Sequence, residues 1–383
     1  MKVLHVMKTL PYPPVDGFRS DIWTRLLALR GLGYRIHLLT TAAEPDAGDA
    51  NLAVIRSVVE RITFVRRVPI AVCALKLRPM QVARSGRLAK VPLDERYDLV
   101  LAESEEVLPI FENPTLSAKV RALRVHNNES KYMAELSAAD YRIFWKLFFA
   151  SEALKYGLLA KRSHRLVDQL WFISREEADQ CAAGKVVARW LPPGLEPLPA
   201  SLPVRDRDSR RVLFVGSLSV PLNCEAVRWY VRNVHPLLLD VPGYEFVVAG
   251  SSGGSGNAMQ LATELASAAA CQVCVDPVSL DPLYRSAGVF VNPMRRGSGV
   301  KMKTIHAIRE GIPVVTTRVG AEGSGFEDRV HLRIEDTAED FAAGIRELIL
   351  DPAGSQKMAS CGFEYLRTVY DCGGNLSALL EAL

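Results

Sequence analysis

The feature that most constrains this chain is a local order that runs twice. An apolar strand-like run, a loop rich in Gly, Pro or Ser, and an amphipathic helical stretch follow one another from Val3 to Met7 onward, and the series restarts at Val212 to Gly216. The proline-rich L-P-P-G-L-E-P-L-P-A-S-L-P, Leu191 to Pro203, stands between them and leads into the charged R-D-R-D-S-R-R. Prolines at that density make a stiff, extended linker. Strand-like runs then alternate with helical ones in each half: Tyr34 to Thr40, Tyr97 to Ala102, Val120 to Val125 and Leu170 to Ser174, then Glu245 to Gly250, Val289 to Asn292 and Pro313 to Thr317. That alternation predicts an α/β protein whose parallel sheets are covered by helices. Ligands of such sheets bind at the carboxyl ends of the strands, so two such domains facing each other would enclose a cleft. At 383 residues the chain can support two cores, divided near residue 200.

Composition removes several classes. Nearly half the residues are apolar, which excludes a disordered protein. Met1 opens directly onto a strand and no run of about eighteen apolar residues exists, so the sequence predicts a cytoplasmic protein with neither signal peptide nor spanning helix. Seven cysteines, scattered and odd in number, suit a reducing compartment. Cys271 and Cys274 form a CxxC inside a strand-like run, where residues three apart face opposite sides, and no second pair completes a zinc site. Net charge is only +4, yet Arg56 to Arg96 holds ten Lys or Arg against Glu60, Asp94 and Glu95, interleaved with apolar residues such as Val68, Ile70, Val72, Leu75 and Leu77. Such a stretch can lie on an anionic membrane, hold an anionic acceptor, or form a solvated basic face. No nucleic-acid recognition motif accompanies it.

The most informative local motif is R-R-G-S-G-V-K-M-K-T-I-H-A-I-R-E-G-I-P-V-V-T-T, Arg295 to Thr317. Gly297, Ser298 and Gly299 permit a close-approaching backbone that offers N–H groups to an anion, ahead of a helix whose dipole reinforces the preference. The helix should stop at Gly311, before the β-branched strand after Pro313. Lys301 and Lys303 stand at the helix start, where cations are disfavoured unless an anion is present, so they add mobile positive charge for a phosphate-bearing ligand. The glycine-rich G-S-S-G-G-S-G-N, Gly250 to Asn257, lacks the endings of a Walker or dinucleotide loop and reads as a flexible loop bordering the same pocket.

Taken together, V-L-F-V-G-S-L-S-V-P-L-N (Val212 to Asn223), E-F-V-V-A-G (from Glu245), A-G-V-F-V-N-P (from Ala287) and G-S-G-V-K-M-K with E-G-I-P-V-V resemble the donor domain of family-4 nucleotide-sugar glycosyltransferases, the glycosyl transferases group 1. P-Y-P-P-V-D-G-F-R-S (Pro11 to Ser20) resembles the acceptor-side loop of that family, and H-N-N-E (His126 to Glu129) resembles a motif seen in one branch of it. The resemblance implies the GT-B fold: an acceptor-binding Rossmann-like domain over 1–200, a donor-binding one over 201–362, and a terminal helical segment 363–383 crossing back to the first. It also implies sugar transfer from a nucleotide diphosphate donor, such as a UDP- or GDP-sugar, to a glycan, lipid-linked sugar or metabolite. Retention of configuration, no bound metal and no further cofactor are part of that expectation.

On this reading Ser298, Gly299, Val300, Lys301 and Lys303 meet the charge that develops on the leaving diphosphate. Gly216, Ser217 and Asn223 approach the phosphates, and Pro277 and Val278 lie near the nucleobase. The family's two glutamates, with seven residues between them, are replaced here by Ser298 and His306. A neutral His306 can still accept a hydrogen bond from a ribose hydroxyl. His126, at the end of an apolar run, is expected to touch the donor sugar, or to be a structural residue bonded to a nearby carbonyl. Glu103 or Glu129 can serve as a base if the reaction inverts. Asp16, Gly17, Arg19 and Glu129 are expected on the acceptor. Two alternatives to catalysis of transfer stand beside it: a sugar-nucleotide epimerase on a similar fold and, permitted by the missing glutamates, a degenerate partner protein that binds nucleotide sugar.

Overall fold

The computed structural model describes residues 1–14, 16–43, 48–73, 76–139, 142–181, 186–203 and 209–382. Leu75 of the basic stretch and 204–208 of the charged run after the prolines lie outside the described residues. Two compact units emerge: Met1–Glu196 with Tyr370–Leu383, and Pro197–Val369.

The first unit is built on seven parallel strands, β1 (Lys2–Met7), β2 (Arg35–Thr40), β3 (Arg61–Phe64), β4 (Arg96–Glu103), β5 (Ser117–Val125), β6 (Gln169–Phe172) and β7 (Val187–Trp190). Their spatial order is β3-β2-β1-β4-β5-β6-β7. Val3 of β1 stands opposite Ile36 on one side and Leu99 on the other, so the first strand lies in the middle and the winding reverses between β1 and β4. Side chains alternate between two cores, as the two-residue period of a strand requires. Leu4, Val6, Val100, Ala102 and Leu123 enter one, while Val3, Met7, Leu99, Leu101 and Ala122 enter the other. Burial on both faces is why these strands read as continuous apolar runs. The second core also takes Ile22, Leu26 and Leu29 of the helix Gly17–Gly31, and Leu376, Leu379 and Leu380 of the helix Cys372–Glu381. The helix Pro352–Val369, in which the expected terminal segment begins, stays with the second unit.

The second unit repeats the design with β8 (Arg211–Val215), β9 (Glu245–Gly250), β10 (Cys271–Val275), β11 (Val289–Asn292), β12 (Val314–Thr316) and β13 (Arg333–Ile334). The order is β10-β9-β8-β11-β12-β13, again parallel, with its reversal between β8 and β11. The expected helix spans Met302–Arg309, and Gly311 takes a φ of +71° where the chain turns out of it toward β12. All seven cysteines are free. Among the described residues no helix is long and apolar enough to cross a membrane.

Candidate active site

Each unit carries a polar constellation at the carboxyl ends of its central strands, where the winding reverses. In the first, Glu103 closes β4 and is fully buried, with both oxygens engaged. Its carboxylate accepts from Nε2 of His5 at 2.5 Å, Nε of Arg25 at 3.0 Å and Nε2 of His126 at 2.7 Å. Asp21, one turn before Arg25 on the helix Gly17–Gly31, accepts from Arg25 at 2.7 Å, from Arg124 at 3.4 Å and from the Gly194 amide at 2.6 Å. Arg124 also donates to the carbonyls of Leu191 and Pro192. Burial alone would raise both carboxyl groups. The Arg25 guanidinium overrides it, helped at Glu103 by the bonds from His126 and His5, and holds Glu103 well below the usual range. Asp21 is likewise held low by Arg25, Arg124 and His126. Burial pushes Arg124 down to about 10 and lowers His126.

His126 packs its ring on Phe18 at 4.6 Å, with Nδ1 3.5 Å from Asp21 and Nε2 on Glu103. Both ring nitrogens therefore face buried carboxylates, and as placed neither addresses a ligand. Glu103, expected as a possible base, is saturated by three cationic or imidazole donors, which makes it the residue that orients His126. Asp21, Glu103 and His126 come within metal-ligating distance of one another. Two guanidiniums already neutralise those carboxylates, so a divalent ion would have to displace them. His5, Asp21, Arg25 and Arg124 escaped the sequence reading. Their signal was a charge or imidazole inside an apolar strand run, and an Asp four residues before an Arg on one helical face.

The remaining first-unit residues fall into two places. Asp16 caps the helix Gly17–Gly31, its Oδ1 accepting from the Arg19 amide at 2.9 Å, and Gly17 is the helix's first residue. Arg19 lines a cavity of about 710 Å³ beside β1, β2 and β3. Glu129 opens the helix Glu129–Ala139 and borders a separate cavity of about 260 Å³ with Glu105 and Tyr156. Burial, then the charge of Glu106, pushes Glu129 up to about 7, and burial, then Glu129, pushes Glu105 up to about 8.

In the second unit Lys303 gathers the constellation. Its Nζ donates to Oδ1 of Asn223 at 2.5 Å, meets Met294 Sδ at 3.5 Å and lies over the Phe214 ring at 4.8 Å. Asn223 in turn donates from Nδ2 to the Ser217 carbonyl at 2.8 Å. Gly216 fits this arrangement because a Cβ there would stand 3.1 Å from Lys303 Nζ and 3.2 Å from Asn223 Nδ2. Gly297 and Gly299 take φ of +122° and +75°, the left-handed backbone that the loop needs. Lys301 is buried, and its Nζ donates to the Gly299 carbonyl at 2.5 Å, 3.8 Å from Glu322. Neither lysine is mobile, contrary to expectation: each is held by a specific acceptor. No acidic residue sits in the first helical turn to offset them. Burial, with the neighbouring charge of Lys301, pushes Lys303 down to about 7.

Ser298, Val300 and His306 are partly buried, and His306 shares with Lys303 the less buried side of a helix whose Thr304, Ile305, Ala307 and Ile308 are buried. Ser217 Oγ is bonded to Ser219 at 2.8 Å. The loop after β9 is tied to the end of β10 by Asp276, which accepts from Ser252 N at 2.8 Å and Oγ at 2.6 Å. Pro277 follows, and Val278 is fully exposed, so the structure does not bring its side chain to the Lys303 group. Phe214 and Met294, which support Lys303, were not anticipated, since both read as ordinary core residues.

Residues 209–351, which contain the whole Lys303 constellation, match the family model described as Glycosyl transferases group 1. A protein of Klebsiella pneumoniae, described as an uncharacterized 44.6 kDa protein in the cps region, is 31% identical over 389 residues, with 99% of each chain covered. The chain belongs to the group 1 glycosyltransferases. Among solved structures, TarM superposes on this group 1 glycosyltransferase with a TM-score of 0.72 at 9% identity, covering 99% of this chain and 98% of that one. HepE of Anabaena, in complex with UDP and glucose, gives 0.66 at 13% identity and 99% coverage of both. At such identities the likeness concerns the fold, and the two Rossmann-like units of this glycosyltransferase are those of the GT-B fold.

Proposed function

We propose that this glycosyltransferase moves a sugar from a nucleoside diphosphate donor, held by the second unit, to an acceptor held by the first. Lys303 carries the reading: a partly desolvated ammonium, fixed by Asn223 beside Gly216 and next to the open backbone of Gly297 to Gly299. Breaking the glycosidic bond leaves negative charge on the diphosphate, and a fixed cation with aligned N–H groups stabilises that charge more than the ground state. The lysines and backbone amides supply this without a metal or other cofactor. In a retaining, front-face reaction the departing phosphate oxygen takes the acceptor proton, so no separate base is needed. That suits a first unit whose Glu103 is saturated and whose His126 is turned inward. The structure of HepE holds UDP and glucose, which supports a UDP-sugar as the first donor to try.

The test is calorimetry of the full chain with UDP-, GDP-, dTDP- and ADP-sugars, with and without magnesium, followed by acceptor-dependent release of the diphosphate. The expected result is metal-independent binding of one donor class. Lys303→Ala should weaken that binding and lower turnover by roughly a hundred- to a thousandfold, the scale for losing one stabiliser of developing charge. A folded Lys303→Ala protein with unchanged kinetics sinks the assignment. A second reading, a degenerate nucleotide-sugar-binding partner, is favoured by Ser298 and His306 standing where the family carries glutamates, and it predicts donor binding with no diphosphate release. Rearrangement without acceptor would indicate the epimerase. The exposed Ile70, Val72 and Leu77 in the basic 56–96 stretch support a peripheral contact with an anionic membrane on the cytoplasmic side.

A further inference from the structure

The cavity of about 710 Å³ that Arg19 lines is strongly basic. It opens at the carboxyl ends of three neighbouring strands: Lys8 and Thr9 follow β1, Thr41 to Ala43 follow β2, and Phe64 closes β3 ahead of Arg66 and Arg67. Five cations face it, Lys8, Arg19, Arg66, Arg67 and Arg84, and no acidic residue is in its lining among the described residues. Two carboxylates outside the lining pair with three of these cations. Glu106 lies 2.7 Å from Lys8 and 4.0 Å from Arg67, and Asp16 lies 3.5 Å from Arg19. Arg66 and Arg84 make no ion pair among the described residues.

Two observations show that the cluster is unsatisfied as well as crowded. The Nε of Arg67 and the Nε of Arg84 are buried and have no hydrogen-bond acceptor. A buried donor without an acceptor is costly, more so on a charged group. Arg67 is also lowered from its ordinary range, by burial and then by the charge of Arg84. Arg67 holds its place through Gln81 Oε1 at 2.8 Å, so the cations are positioned and not splayed into solvent. Phe64 and Tyr12 add aromatic wall, the surface that a sugar's C–H face packs against.

We propose that this cavity binds an acidic saccharide, a sugar bearing phosphate or carboxylate, as the anionic segment of the acceptor. The inference rests on the first unit being the acceptor side. Planar guanidiniums take both oxyanions in forked geometry. The same arginines turned toward a cavity argue against a merely solvated basic face.

The test uses the full chain and three probes by calorimetry: glucose 6-phosphate, digalacturonate and neutral maltose. Phosphate or carboxylate as the recognised group is separated by which of the first two binds. Arg66→Gln and Arg84→Gln, each checked for an unchanged melting temperature, should weaken that probe by roughly ten- to a hundredfold, the range for one charge-assisted hydrogen bond. UDP affinity should be unchanged in both variants, and the acidic probe should still bind to Lys303→Ala, which keeps this result independent of the donor reading. The proposal is overturned if maltose binds as well as the acids, if no acid binds, or if UDP affinity falls in the arginine variants. Binding confined to phosphatidylglycerol vesicles would overturn it in favour of a membrane surface.

Discussion

Lys303 shows how a single residue can set the pH behaviour of a phosphate site. With its ammonium pushed down to about 7 in the empty protein, the side chain is largely neutral in alkaline solution. A diphosphate favours the charged form, so binding above neutrality must take up a proton. UDP affinity should therefore fall as pH rises from about 7 to 9, by up to about tenfold per unit, and the binding enthalpy should vary with buffer ionisation. Identical affinity and heat at both ends of that range would show that Lys303 is not the group responding. The buried Glu103 behaves in the opposite sense. Its folded pKa is depressed, so its stabilising contribution is complete above the ordinary carboxylate range, about 4, and is lost as pH falls through the lower folded value. His126, lowered by burial, adds a loss that begins as pH falls below about 6.5. In urea unfolding Glu103 and His126 should each contribute a loss of stability on acidification, the acid limb, opposite in sense to the raised Glu105 and Glu129, whose contribution is lost as pH rises. Glu103→Gln should cost roughly 3–5 kcal/mol at pH 7.5, because Arg25 would keep only Asp21 as a carboxylate partner, and should flatten the acid limb. The sequence disclosed His126 and Glu103 because each ends an apolar run. It hid the rest of the network, because Arg25 and Arg124 look like surface residues until two strands and a helix close around them.

At the scale of elements, legibility followed burial. β1, β4, β8, β9 and β11 are covered on both faces, so they appear as unbroken apolar runs whose limits the sequence places within a residue or two. β3, β7 and β13 lie toward or at the sheet edges, are two to four residues long and carry exposed or half-exposed residues, so no periodicity marked them. The strand-to-helix loop at β8 was legible as glycine and amide chemistry, but the reason for it is geometric: Lys303 comes from a helix some eighty residues later in the chain. Gly216, after β8, and Gly250, at the end of β9, separate function from stability. At Gly216 an added Cβ would press on Lys303 Nζ, Asn223 Nδ2 and the Phe214 ring at 3.1–3.2 Å, side-chain and not backbone atoms. Gly216→Ala should keep the melting temperature within a few degrees and weaken UDP by roughly tenfold, about 1.4 kcal/mol. At Gly250 the Cβ would come 1.8 Å from the Gly216 carbonyl oxygen, a backbone atom held between strands. Gly250→Ala should lower the melting temperature markedly. Equal effects of the two substitutions on stability would mean that the β8 loop is not shaped around Lys303.

At the scale of the whole molecule the chain is not two beads on a string. The first unit draws on both ends of the sequence: Met1–Glu196 supplies the sheet and most helices, and Tyr370–Leu383 returns to it. The return is a packing commitment, since Leu376, Leu379 and Leu380 of the last helix are buried in the same core as Ile22, Leu26 and Leu29. Leu376 is fully buried and the other two nearly so. At about 1.5–3 kcal/mol per buried leucine, the three together stabilise by roughly 5–9 kcal/mol, comparable with the whole stability of an ordinary domain. The second unit, Pro197–Val369, is continuous and holds the entire Lys303 constellation. Expressed alone, 197–369 should fold and bind UDP. The fragment 1–196 should be unfolded or aggregated by circular dichroism until a peptide covering 370–383 is added. Cooperative unfolding of 1–196 by itself would show that the terminal helix is an accessory to a core already complete. If instead the peptide restores folding, loss of the last fourteen residues in the full chain should abolish acceptor-dependent turnover while leaving donor binding intact, because the two units would then fail separately.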